Sequence, residues 1–257
     1  MNLFFFTKTD GIECSLQVPR FTNDGKFKLN YKLFEANILN NEWNINECKC
    51  DYDNNFFYVT CNNSNYDAVF FLASIKEIKK FAVSNLLNSY NNFTNTIPEF
   101  RANLSVTNEK NGFCSYQSEY PYSMVNRKGS LITTSILSNY KALRNIIFIK
   151  NIYLKPEKNK FPLYVVDLKL KTVLKKYILF TNSTNAIEID FDLDNNNIYF
   201  VSKDYLGIPI YLSEGDNGQL SFEHTHPPLE NIAGAYRYEN ITNYRKKLIE
   251  IVNKSIL

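Results

Sequence analysis

Gly207-Ile208-Pro209-Ile210-Tyr211-Leu212-Ser213-Glu214-Gly215-Asp216-Asn217-Gly218-Gln219-Leu220-Ser221-Phe222-Glu223-His224 reads as one β-hairpin. Two apolar, β-rich runs flank Glu214 to Gly218, a stretch dense in turn formers. Side chains alternate across a strand, so Leu220, Phe222, His224 and His226 share one face, while Ser221, Glu223 and Thr225 take the other. Pro209 lacks an N–H, which favours an edge position for its strand.

Outward from this hairpin the pattern repeats. Strand-like runs occupy 145–154, 162–169, 172–181, 186–193, 197–202, 207–213 and 219–226, separated by turn signals at the intervals of a sandwich. In Glu188-Ile189-Asp190-Phe191-Asp192-Leu193-Asp194 the carboxylates take one face and the apolar residues the other, as on a strand whose charged side faces water. Ile241, Tyr244, Leu248 and Val252 recur at helical spacing between Ile241 and Ser255, predicting an amphipathic terminal helix. The expected fold is therefore predominantly β, α+β overall, with a C-terminal antiparallel β-sandwich of about seven strands closed by a helix.

The first half predicts a smaller β-rich, α+β portion. Strands are expected at Asn2 to Thr7 and Lys26 to Phe34, and a hairpin joins Trp43–Tyr52 to Phe56–Cys61 through Asp53-Asn54-Asn55. Ser74-Ile75-Lys76-Glu77 has the form of a capping box and opens a helix running to about Tyr90. Residues 91–129 read as loop with one short strand near Phe100 to Val106, and Ser130 to Leu143 reads as a helix weakened by Ile132-Thr133-Thr134. The division drawn is 1–129 and 130–257; no linker marks it, which leaves open the alternative that the first half adds strands to the same sheet system as one domain.

Candidate chemistry begins with the two histidines of the chain, His224 and His226. Imidazole is the commonest metal ligand, and side chains two apart on a strand can converge on one Zn, Fe or Mn ion. Glu223 alternates to the opposite face, so Glu230, past Pro227-Pro228, is the plausible third ligand. Gly218-x5-His224-x-His226-x3-Glu230 resembles the first metal-binding motif of cupins, which implies the same three ligands. The second cupin motif has no counterpart, because no histidine follows His226.

A second candidate is Gly112-Phe113-Cys114-Ser115-Tyr116-Gln117-Ser118-Glu119-Tyr120-Pro121-Tyr122-Ser123-Met124. Aromatic faces beside amide and carboxylate groups suit sugars, whose C–H surfaces stack while their hydroxyls take hydrogen bonds. Tyr116, Gln117, Glu119, Tyr120, Tyr122 and the nearby Arg127 are the candidate ligand-binding residues. Were this segment to reach the histidines, Cys114, His224 and Glu119 would have the residue types of a nucleophile, a base and an orienter, with His226 beside them. Cys48, Cys50, Cys61 and Cys14 form a looser zinc candidate whose spacing matches no finger or ribbon; burial as small hydrophobes is the simpler reading.

Composition narrows the classes. A chain of 257 residues, 44% hydrophobic and 21% charged, is folded and globular. Lys and Arg are spread along it and the net charge is +3, which gives nucleic acid no concentrated basic tract. No run is long enough for a membrane span, and an odd count of five cysteines suits a reducing interior, so the expected compartment is the cytoplasm. The expected function is binding of a small polar ligand, a sugar or sugar derivative, with a divalent metal at the His224/His226 strand end supporting hydrolytic or isomerising chemistry. The alternative is a non-catalytic module that binds a glycan or a protein through an open aromatic face, with structural histidines.

Overall fold

The computed structural model describes residues 3–20, 31–60, 66–80, 102–120, 124–126, 130–133, 141–191, 197–205, 207–224, 231–233 and 238–256. The protein is mostly β. Its N-terminal elements are β1 (Ile12–Pro19), β2 (Tyr31–Leu39), β3 (Glu42–Glu47), β4 (Asp51–Tyr52), β5 (Phe56–Thr60), β6 (Val69–Ser74), α1 (Ile75–Lys80), β7 (Asn103–Asn108) and β8 (Phe113–Gln117). There follow β9 (Ser130–Thr133), β10 (Arg144–Lys150), β11 (Lys160–Asp167), β12 (Thr172–Phe180), β13 (Thr184–Glu188), β14 (Ile198–Ser202), β15 (Ile208–Glu214), β16 (Leu220–His224), β17 (Asn231–Ala233), β18 (Tyr238–Asn240) and α2 (Ile241–Ile256).

Local turn chemistry explains how the first half differs from expectation. Asn40 and Asn41 both adopt left-handed φ, 53° and 60°, as a two-residue hairpin turn demands. That turn folds β3 back on β2, so the single strand expected over Trp43–Tyr52 divides: β3 joins a sheet of order β3-β2-β6, and β4 pairs with β5. The Asp53 turn forms as read, its Oδ1 accepting from the N–H of Asn55 (2.7 Å) and of Phe56 (2.8 Å). Leu3 and Phe4 make single bridges to Tyr120 and Phe70 in place of an N-terminal strand.

The segment read over 91–129 as loop with one short strand near Phe100 to Val106 contains that strand as β7 and a second, β8, in a hairpin turned at Asn108–Gly112 with Asn111 at φ 60°. Two strands thus complete a five-stranded sheet, β4-β5-β1-β7-β8. The helix expected from Ser130 begins instead as strand β9, paired with β14: the β-branched Ile132 and Thr133 prevail. Helix α1 starts where the capping box placed it, and the remainder of that expected helix lies outside the described residues.

The C-terminal half forms the sandwich. Sheet β13-β10-β15-β16 faces sheet β12-β11-β14-β9 across a core built from Ile147, Ile149, Val165, Leu179, Phe200 and Tyr211. The first of these sheets is covered on both sides. Ile146, Phe148, Ile210, Leu212 and Phe222 point the other way, into the core that also holds Leu16, Val18, Leu33, Phe70 and Leu104 of the N-terminal sheets. Such double coverage needs continuous apolar runs, which Asn145–Ile149 and Ile208–Leu212 nearly are. Pro209 accordingly stands in an inner strand and not at an edge; it precedes Ile210, the first residue of β15 paired with β16, and a strand start tolerates proline.

Beyond the second sheet lies α2. Tyr244, Leu248, Ile251 and Val252 pack on Tyr164, Val166, Tyr199 and Val201, the outward residues of β11 and β14.

Polar ties close the junction between the halves. Lys150, fully buried at the end of β10, donates to the carbonyl oxygens of Asp67 (3.0 Å) and Ala68 (3.5 Å). Asp67 pairs with Lys158 at 2.5 Å and accepts from the Thr184 N–H at 3.0 Å. Burial would raise the Asp67 carboxyl, but Lys158, Lys150 and Thr184 together hold it below the usual range. At the other end of the sheet the two hairpin turns dock: Asn108 Nδ2 donates to Glu214 Oε1 (2.8 Å) and to the Gly218 carbonyl (3.0 Å). A Cβ on Gly112 would overlap that Gly218 carbonyl, so only glycine allows this approach.

Candidate functional site

Strand β8 carries the polar aromatic segment, and β16 carries the histidines. Both leave the Gly112–Gly218 contact, and the two strands lie against each other. His224, described for its backbone alone, closes β16 opposite Ile210. His226, Glu230, Tyr122 and Arg127 lie outside the described residues.

Alternation then sorts the residues of β8. Cys114 and Tyr116 turn inward and pack, with Leu220 and Phe222, on the shared core. Burial pushes the Cys114 thiol up to about 11, so at neutral pH it is protonated. Glu119 is buried. Tyr120 is buried too: its hydroxyl donates to the Met124 carbonyl (3.2 Å), accepts from the Ile152 N–H (3.2 Å), and its ring meets Phe5 edge-on. Tyr120 therefore anchors the core. Gln117 alone among the described candidates belongs to the outward row of β8, with Phe113 and Ser115.

No group of three or more His, Cys, Asp or Glu able to hold a metal occurs among the described residues. Cys14 is buried within hydrogen-bond reach of Thr7 Oγ1 (3.3 Å), Cys48 is buried, and Cys50 is held below the ordinary thiol range mainly by a hydrogen bond from Cys48. Cys61 lies outside the described residues.

The outward row of β8 continues across the whole five-stranded sheet. Asp51, Tyr58, Gln17, Asn103 and Gln117 are successive cross-strand partners, one from each strand. A parallel row runs Thr60, Ser15, Ser105 and Ser115, and a third runs Glu13, Thr107 and Phe113. Their neighbours Leu16, Val18, Val59, Leu104 and Val106 fill the core beneath. Strands about 4.8 Å apart make the first row roughly 19 Å long. The result is a solvent-facing surface of amides and hydroxyls with Phe113 (63% exposed) at one border and Tyr58 toward the other, whereas Tyr52, opposite the buried Phe57, belongs to the inward row.

Tyr58 is fixed in this surface. Its hydroxyl donates to Asp53 Oδ2 at 2.7 Å, which raises the Tyr58 hydroxyl and, with the N–H groups of Asn55 and Phe56, lowers the Asp53 carboxyl. Arg20 donates to the Asp53 carbonyl and stands about 5 Å from the rings of Tyr52 (5.2 Å) and Phe57 (5.1 Å). The rings of Tyr58 and Phe113, the side-chain amides and the carboxylates of Glu13 and Asp51 thus share one face of the sheet. Such a surface can hydrogen-bond hydroxyl groups and stack on sugar rings.

Sequence reasoning missed this face because its residues come from five strands spread over a hundred positions. The available signal was the alternation within Ile12–Val18, Phe57–Thr60 and Asn103–Thr107, each small and polar on one side. Among known proteins no family model, no curated protein and no solved structure matches the chain.

Proposed function

We propose that the protein is a non-catalytic glycan-binding module whose site is the outward face of the five-stranded sheet. The observation that carries this reading is the row Asp51, Tyr58, Gln17, Asn103 and Gln117, one polar side chain per strand. Vicinal sugar hydroxyls present donor and acceptor together, which matches side-chain amides, and the exposed ring of Phe113 offers a stacking surface. The length of the row favours a linear oligosaccharide over a single sugar. The test is titration of the intact chain with neutral oligosaccharides of increasing length, followed by backbone NMR. Affinity that rises with length, with shifts at Gln17, Asn103 and Gln117, supports the reading; Gln117→Ala and Phe113→Ala should each weaken binding by roughly three- to tenfold. Absence of shifts on this sheet with any glycan overturns it.

A second reading rests on strands β8 and β16 lying against each other. In it a small polar ligand binds at the His224 end of that seam, with Zn, Fe or Mn on His224, His226 and Glu230 and hydrolytic or isomerising chemistry. Elemental analysis of untagged protein against the His224→Ala/His226→Ala variant decides it. Near-stoichiometric metal lost in the variant supports this site, and metal absent from both after reconstitution removes it.

A further inference from the structure

The helix-bearing side of the outer sheet has a different character. Residues 160–180 and 241–256 carry nine Lys or Arg against two Asp or Glu, whereas the rest of the chain carries 20 against 24; one of the nine, Lys175, is partnered by Val165, lies on the opposite face of the sheet and pairs with Asp190. One of those two acids, Asp167, is buried and accepts from the N–H groups of Lys169 (2.8 Å) and Leu170 (2.9 Å), so it shapes the β11–β12 turn and presents no outward charge. The sequence hides this segregation because two segments sixty residues apart form one layer.

Exposed apolar side chains stand among these cations. Leu170, 65% exposed, sits at the tip of the turn between Lys169 and Lys171. Along β12 follow Leu174 (44%), Ile178 (50%) and Phe180 (38%). The pairing of β11 with β12 shifts register between Val165 and Val166, next to Leu174, and such a bulge re-aims side chains at an edge. Lys160 Nζ lies 5.9 Å from the Phe180 ring, Lys176 Nζ 5.8 Å from Tyr164 and Lys247 Nζ 5.6 Å from Tyr244, so the lysine stems run along apolar surface with their charges outward.

We propose that this face docks on a lipid bilayer surface bearing anionic headgroups. The lysines meet phosphate and carboxylate groups while Leu170, Leu174, Ile178 and Phe180 enter the interfacial layer. A bilayer is preferred to an acidic protein because the apolar groups protrude singly from an edge strand and a turn tip. A protein partner would need a pocket shaped for each, whereas acyl chains accept them at any spacing.

Vesicle flotation of the full chain tests this, using phosphatidylcholine with and without phosphatidylserine. Binding is expected only with phosphatidylserine and should fall with salt. Lys169→Gln/Lys171→Gln should weaken it on the order of 20-fold. Leu170→Ser/Ile178→Ser should weaken it at unchanged melting temperature, since both positions are exposed. No binding at low salt, or binding untouched by both variants, overturns the proposal. Retention on immobilised polyglutamate without vesicle binding also overturns it and assigns the face to an acidic protein.

Discussion

Lys150 shows what a single residue contributes at the junction of the two halves. Burial pushes its ammonium down to about 8, partly offset by Asp67. Between pH 8 and 10.5 the unfolded chain therefore binds a proton that the folded protein has released, so stability from this group rises with pH across that window. Below pH 8 the cost of the buried charge is fully present. Lys150→Met removes the group, and the stability of wild type minus variant should grow in favour of wild type by up to roughly 3 kcal/mol from pH 8 to 10.5. Urea denaturation at several pH values measures this, and a pH-independent difference refutes it. Nothing in the sequence singles out Lys150 from the other lysines; its place follows from tertiary pairing of β10. Cys114 was legible only as a residue type, since its thiol chemistry is set by the core behind β8. Asn40 and Asn41 were legible in principle, because two asparagines between apolar alternations mark a tight hairpin turn.

At the scale of elements, the C-terminal strands and α2 could be read directly: their periodicities are strong and their burial follows them. The helix stripe predicted at Tyr244, Leu248 and Val252 is the one that meets the sheet, joined by Ile251. Leu248→Ala should cost roughly 2–5 kcal/mol, because Leu248 is fully buried where α2 crosses the outer sheet. A loss below about 1 kcal/mol in chemical denaturation would show that the helix contributes little to the fold. Strand β8 was misread because polar, Tyr-rich sequence without strong apolar alternation resembles a loop. Its partner β7 corresponds to the short strand expected near Phe100 to Val106, and it is their pairing that local sequence did not announce. The same weakness concealed the candidate glycan face, since a row across a sheet is a property of register, and register is invisible until strands are paired.

For the whole molecule, the sheet β13-β10-β15-β16 belongs to two cores at once. Residues 1–129 lack the side chains of Ile146, Phe148, Ile210, Leu212 and Phe222 that complete their core, so that fragment alone should not fold. The intact chain should unfold in a single transition, with tryptophan fluorescence of Trp43 and far-UV circular dichroism coinciding; separated midpoints would establish two independent units. The shared sheet also sets an order in time. As the chain leaves the ribosome, the apolar side of β1, β5 and β7 waits for strands encoded about a hundred residues later, a delay of roughly 5–20 s at ordinary synthesis rates. Through that interval the nascent N-terminal half is a client for holding chaperones, and slowing translation between residues 120 and 222 would lengthen its exposure to aggregation.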